Sequence, residues 1–384
     1  MLHALLLLKL ALDFLSAQRG LGFALCVLVG LTVVFAPSAA AGAGPVRRAG
    51  PGGLLLGGFV ALTAAAYLQG GEADQAMKYL GLALLAGAVP VVLGARPEAD
   101  RVRMASLLLQ GNFLFASLCI LRALASGGYA ERDFPPFEHA NLFGSYILSG
   151  LPLLFAVESR AGVRWRWRAM FIALAWASTS TGSGVLSLLL LVDFRRFGWR
   201  RVLRVAVLGV ALVLAGEAVL AVLMPTLHTK IFSPFAFVAD FGFQTLLTAV
   251  RIGYSLYDFG PSYESSLTWR IYAYAIFLSH AMTAPWPELL FGRGFQGYAA
   301  IWNGYMPHND FILALIDFGA VGVGLMLAVI ARVVAFVVRH RELAGLAPIL
   351  VCRLMFENNI YSFYLMSSLV INACVLLAAY RGAR

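Results

Sequence analysis

Apolar runs of membrane-spanning length recur along almost the whole chain, and this periodic supply of lipid-soluble segments limits the fold more than any motif does. The longest lie at about 20–42, 52–69, 75–95, 104–126, 138–158, 202–224 and 309–338, with shorter ones at 2–17, 165–180, 183–195, 345–360 and 361–380. A helix needs roughly 20 apolar residues to cross the hydrocarbon core. Backbone polar groups cannot be left unpaired in lipid, so runs of this length read as helices. The expectation is an all-α, polytopic membrane helix bundle of about 12 transmembrane helices. The chain is 61% hydrophobic and 12% charged, against roughly 45–50% and about 25% for soluble domains. Residues 1–384 read as a single membrane domain with no separable soluble unit and no internal repeat.

A net charge of +10 raises the question of nucleic acid, and the placement of the charge argues against it. Basic residues cluster in short connections: Arg47 and Arg48; Arg96, Arg101 and Arg103; Arg160, Arg164, Arg166 and Arg168; Arg195 to Arg204; Arg339 and Arg341; Arg381 and Arg384. The positive-inside rule makes these cytoplasmic loops. Alternating spans then leave both termini in the cytoplasm and turn residues 225–307 outward, where Lys230, Arg251, Arg270 and Arg293 balance Asp240, Asp258, Glu264 and Glu288. The first apolar run is followed by Arg19 and Gly20 rather than a cleavage site and reads as retained. Its Lys9 and Asp13, four residues apart, can neutralise each other on one helix face. Cys26, Cys119, Cys352 and Cys374 all fall in apolar segments without metal-ligand spacing, which points to neither a disulfide framework nor a zinc site.

The outward loop at 225–307 is long, and long ordered connections are usually functional. Within it, 234–256 and 265–281 read as amphipathic helices on the membrane surface, Pro285 and Pro287 stop the second, and Gly292 to Pro307 reads as irregular. His308 precedes Asn309 and Asp310 at the head of an apolar run. Asn309 is a natural helix cap, Asp310 suits the first turn, and an imidazole at the water boundary can take a proton from a hydroxyl or simply pack there. Arg270, in an aromatic context of Trp269, Tyr272 and Tyr274, has the planar fork that grips phosphate oxygens bidentately. Arg293, between Gly292 and Gly294, and Arg251 are further diphosphate-binding candidates, or ordinary turn and interfacial charges.

Other polar groups stand at span ends. His139 and Asn141 open the run at 138–158, where each can cap the helix or bond a substrate. Ser178 to Gly184 reads as a small-residue turn that lets helices approach closely. Arg353 and Glu357, four residues apart in an apolar run, are expected to pair facing the bundle interior. Trp286, Tyr298, Trp302 and Tyr305 can stack on sugars or form an interfacial belt.

Leu290-Phe291-Gly292-Arg293-Gly294-Phe295, then His308-Asn309-Asp310, then Asp317-Phe318-Gly319 and Gly322 form a pattern that resembles the O-antigen ligase and polymerase superfamily. These are integral membrane glycosyltransferases of GT-C-like architecture, and the resemblance covers about residues 138–330. It implies a large periplasmic loop late in the chain and transfer of a glycan from an undecaprenyl-diphosphate carrier to an acceptor hydroxyl, without metal, cofactor or nucleotide sugar. By the same resemblance His308 is the catalytic base; Arg270, Arg293 and Arg251 bind diphosphate; Asn309, Asn141, His139 and Asp317 support; and Trp302 and Tyr305 contact sugar. The acceptor is a second carrier-linked glycan, giving polymerisation, or a lipid A core, giving ligation in lipopolysaccharide biosynthesis. The implied setting is the bacterial inner membrane with a periplasmic active site. The chain departs from the ligase pattern at Ser180-Thr181-Gly182, where threonine stands in place of an arginine, and Ser266 to Arg270 is closer to exopolysaccharide polymerases. A second phosphate-binding cation would then come from Arg293 or Arg251. Two rival readings are a lipid-linked sugar transporter, which requires internal repeats and paired broken helices, and an intramembrane protease using Ser183.

Overall fold

The computed structural model describes residues 51–381 apart from 71, 95–96, 138, most of 193–224, 260–265, 303, 357–358 and 360–361. The described chain is helical throughout, its one extended feature being an isolated bridge between Phe134 and Phe137. The first group of helices is α1 (Pro51–Gly70), α2 (Ala73–Gly94), α3 (Glu98–Ala125), α4 (Ala140–Ser149), α5 (Leu151–Ala161), α6 (Trp165–Ala177) and α7 (Thr181–Ser187). The second is α8 (Pro225–Arg251), α9 (Ser266–Thr283), α10 (Asp310–Arg339), α11 (Leu346–Phe356) and α12 (Phe363–Arg381). Among the described residues, three stretches are long and apolar enough to cross a membrane: Glu98–Ala125, Ala140–Ser159 and Asp310–Arg339. Shorter apolar helices occupy Leu54–Gly70, Thr181–Leu191, Leu346–Met355 and Leu365–Tyr380. The expected runs at 2–17, 20–42 and most of 202–224 lie outside the described residues.

The bundle is organised around α12, which packs against α2, α3, α4 and α5. Its core combines Leu85, Leu109, Tyr146, Phe171 and Val375, all buried. Polar side chains stabilise a backbone interruption inside this core. Pro152 interrupts the ladder between α4 and α5, and Asn372 Nδ2 donates to Ser149 O at 2.9 Å. Asn112 packs so tightly on Gly150 that a Cβ there would overlap its amide.

The two ends of the bundle differ in charge. At one end Arg168 holds Glu158 bidentately, Nε to Oε1 at 2.9 Å and Nη2 to Oε2 at 2.7 Å, and donates through Nη1 to Leu190 O at 2.9 Å. Arg101 donates to Ala378 O near the C-terminus of α12, and His340 packs edge-on against Tyr380. Arg101, Arg103, Arg164, Arg166, Arg168 and Arg339 thus gather at the end remote from residues 131–141 and 308. The expectation that these clusters lie in short connections needs correction for Arg101 and Arg168, which lie inside α3 and α6. Arg101 and Arg168 are buried, because each is consumed by carbonyls or a carboxylate at a neighbouring helix end.

Helix α10 is broken at Gly319, whose φ of 65° and ψ of −165° lie outside any helix. The break frees two carbonyls. Ile316 O accepts from Arg293 N at 2.7 Å, and Asp317 O accepts from Gly294 N at 3.1 Å. Close approach is possible because Gly292 and Gly319 carry no side chain: a Cβ on Gly292 would overlap the Asp317 backbone, and one on Gly319 the Leu290 backbone. The far side of this turn also abuts α1, where a Cβ on Gly294 would lie 2.7 Å from Gly70 N. Beyond the break, residues 320–339 make a helical arm of roughly 30 Å, a length that can span a bilayer.

The segment expected to face outward, 225–307, forms a small helical layer of its own. Helix α8 starts at Pro225, earlier than the expected 234, and is interrupted at Gly242 with φ 68°. Helix α9 matches the expected 265–281 closely. The two pack through Phe237, Leu246, Leu247, Tyr272 and Ile276. The stretch from Gly292 to Pro307, expected to be irregular, contains a short helix, Gly297–Ile301, that starts on the positive-φ residue Gln296. Gly319→Ala is expected to cost at least about 2 kcal/mol, from its positive φ and the backbone overlap. Gly324→Ala, which meets nothing within 4 Å, is the control. Thermal unfolding in detergent measures both, and equal melting temperatures would contradict the interlock.

Candidate active site

Two helix starts meet at the end of the bundle away from the basic cluster. At the head of α10, the Asn309 side chain accepts from Phe311 N at 2.9 Å and Ile312 N at 3.1 Å, as its capping chemistry requires. His308 just before it adopts φ 48°. At the head of α4, His139 Nδ1 accepts from Leu142 N at 3.3 Å. Accepting at Nδ1 leaves Nε2 to carry the ring proton. His139 is therefore the cap of α4, and Asn141 the first-turn residue behind it.

Between these starts lies a chamber of about 410 Å³ whose lining includes Arg132, His139, Asn141, Trp269, Arg270 and His308. Glu131 and Asp133 contribute two carboxylates to the same lining. The fold brings together four sequence candidates from three separated segments: His308, Arg270, and the pair His139 and Asn141. Trp269 stands edge-on to the His308 ring at 5.0 Å. Tyr274 Oη lies 2.8 Å from Met355 O and 3.4 Å from His308 O, which ties α9 to the end of α11 and to the histidine backbone.

The other candidates sit elsewhere. Arg251, Arg293, Trp302 and Tyr305 line a second cavity of about 870 Å³, separated from the first by Trp269, which borders both. Arg293 Nε meets Glu288 Oε1 at 2.9 Å, and the same oxygen lies 2.6 Å from His280 Nε2. Arg251 Nε donates to Ser279 Oγ at 3.0 Å. Burial, and then the Asp258 carboxylate, push the Tyr272 phenol above its usual range, so it stays a neutral donor to Tyr254 O. Asp317 is fully buried and takes part in the α10 interlock through its carbonyl, away from the chamber lining. Arg293 or Arg251 was the expected second cation beside Arg270, and neither lines the chamber that holds Arg270.

Arg132 does line it, and no motif marked it. Its Nη2 donates to Thr179 O at 2.9 Å and its Nε to Thr179 Oγ1 at 3.3 Å. The only signal in the sequence is Gly127-Gly128 and Pro135-Pro136 bracketing a short polar turn. Backbone strain marks the same place: of the non-glycine residues with positive φ among the described residues, Arg132 and His308 line the chamber and Thr179 holds Arg132. Such conformations cost of order 1–3 kcal/mol each and cluster at functional sites.

A buried polar network fixes the floor of the site. Arg353, 7% exposed, donates through Nε to Ser145 Oγ at 2.9 Å and through Nη2 to Asn141 O at 2.8 Å. Asn359 Nδ2 donates to Arg353 O at 2.8 Å and to Asp310 Oδ2 at 2.9 Å, which joins the head of α10 to that of α4. Ser180 Oγ donates to Asn141 Oδ1 at 3.0 Å, and a Cβ on Gly144 would overlap Ser183. The serine turn therefore permits the close helix approach expected of it. The expected partner of Arg353, Glu357, lies outside the described residues.

Compared with known proteins, the chain matches no family model and no curated protein. Arg353→Lys keeps the charge but cannot reach Ser145 and Asn141 O together. It should cost about 1–3 kcal/mol, measured as a lower melting temperature in detergent; an unchanged melting temperature would remove Arg353 from this bridging role.

Proposed function

We propose that this chain is a multi-pass glycosyltransferase of about 12 spans and GT-C-like architecture, which moves a glycan from an undecaprenyl-diphosphate carrier to an acceptor hydroxyl on the periplasmic side of the bacterial inner membrane. The observation that carries the reading is the single chamber shared by the His308 imidazole and the Arg270 and Arg132 guanidinium groups. The basic residues grouped at the opposite end of the bundle support a cytoplasmic assignment for that end and a periplasmic one for the chamber.

In this reading His308 takes the proton of the acceptor hydroxyl as its oxygen attacks the anomeric carbon, and the bond from that carbon to the diphosphate oxygen breaks. Arg270 and Arg132 bind the diphosphate and stabilise the charge it gains on leaving. The glycosyl carbon becomes positive in the transition state, and the carboxylates of Glu131 and Asp133 supply opposite charge nearby. His139 and Asn141 hold the head of α4 against the donor; Asn309 and Tyr274 hold the backbone that carries His308. Attack from the face opposite the diphosphate inverts the anomeric centre. Polymerisation of carrier-linked repeat units is favoured over ligation to lipid A core, because Thr181 stands where ligases of the resembled superfamily carry arginine.

His308→Ala is expected to abolish transfer from a lipid-linked glycan while donor binding stays intact, measured with purified protein in detergent. Near-normal turnover would remove the general-base role, and transport of the donor without chemistry would replace the enzyme by a transporter. Arg132→Gln and Arg270→Lys should each weaken donor binding by about 10-fold or more, the worth of one charge-assisted hydrogen bond. Arg251→Gln, facing the other cavity, should leave donor affinity unchanged.

A further inference from the structure

The larger cavity, about 870 Å³, takes no part in the transfer just described, yet it shares Trp269 with the reaction chamber. Its size falls within the range of sites that enclose small molecules, roughly 300–1,000 Å³. Three properties define what fits it. Arg251 and Arg293 both line it, and no carboxylate does so among the described residues. Arg293 is answered by Glu288, whereas Arg251 meets the neutral Ser279 hydroxyl. Its inner wall is aromatic: Trp302 stacks on Trp269 at 5.2 Å and lies 5.0 Å from Tyr305, which is 56% exposed.

An isoprenoid tail has no use for guanidinium groups. Inorganic phosphate has none for indoles. A sugar ring needs both kinds of contact, since its C–H face packs on aromatic rings and a carboxylate substituent pairs with a guanidinium fork. We propose that this cavity is the acceptor subsite, that it binds a glycan bearing a uronate-type carboxylate, and that Arg251 selects this charge while Trp302 and Tyr305 carry the ring. Trp269, which borders both cavities, then lies between the acceptor ring held here and the chamber, and the attacking hydroxyl reaches past the indole edge to His308. The assignment rests on the glycosyltransferase reading, but the binding it requires is measurable without turnover.

The test is calorimetric titration of the purified full-length protein in detergent with trigalacturonate, and with maltotriose as the uncharged counterpart. Saturable binding of trigalacturonate, at least about 10-fold tighter than maltotriose, is expected. Arg251→Gln should abolish the difference between the two sugars, Trp302→Ala should weaken both, and His308→Ala should change neither. Thermal unfolding of each variant separates loss of binding from loss of fold, and Trp302→Phe, which keeps an aromatic ring, should restore part of the affinity. Equal affinity for the two sugars, insensitivity to Arg251→Gln, or displacement of the sugar by decaprenyl phosphate would overturn the proposal. If sugar binding fails while His308→Ala still abolishes transfer, only the subsite assignment falls; if sugar binds and no transfer occurs with any donor, the enzyme reading and the acceptor role fall together and a carboxylated-glycan binding site remains.

Discussion

The buried guanidinium of Arg353 is the interaction on which the site depends. An unpaired cation in an apolar bundle is costly, so its donors must be satisfied. They are satisfied by the Ser145 hydroxyl and the Asn141 carbonyl on one side, while Asn359 links the Arg353 carbonyl to the Asp310 carboxylate on the other. The heads of α4 and α10 are thereby held at one level. His139 and His308 stand on those two heads, and the space between them is the chamber. Removing the network would leave two helix starts with no reason to stay adjacent.

A second constraint acts along α10. The helix breaks at Gly319, and the carbonyls released there receive the amides of Arg293 and Gly294. The glycine-rich run at 290–295 and the acidic-Phe-Gly run at 317–319 look like two motifs in the sequence and form one backbone interlock in the fold. Its role is architectural, since it anchors the 225–307 segment to α10 and to α1. Asp317 belongs to this joint, which explains its burial and its absence from the chamber lining.

Much of the fold was legible from the sequence. The runs at 52–69, 75–95, 309–338 and 361–380 correspond to helices within two residues at each end, because hydrophobic length and Pro or Gly punctuation are local properties; the helix over 104–126 begins earlier, at Glu98, and 138–158 is divided into α4 and α5. Asn309 was legible as a cap for the same reason, its side chain reaching amides only two and three residues ahead. The start of α8 was not. The helix was expected from 234, yet Pro225 suits a helix start and Pro234 sits inside a helix that also bends at Gly242. Buried Arg101 and Arg168 were illegible too, since a charge beside a span looks the same whether it meets water or a neighbour's carbonyl.

By itself the sequence determined a chain of membrane-length helices, one long polar-aromatic loop, and an imidazole at a helix head, because each follows from residues within a turn or two of one another. Which arginine faces that imidazole was decided only by the tertiary structure. Arg251, Arg270 and Arg293 share one loop, but helices α8 and α9 and the wall at Trp269 divide them between two cavities. Arg132, from a turn with no motif, enters the chamber because α3 and α4 carry it there and Thr179 fastens it. Helix formation is a short-range choice between backbone partners, whereas a site is a meeting of side chains whose separation in the chain is far longer than any spacing rule can read.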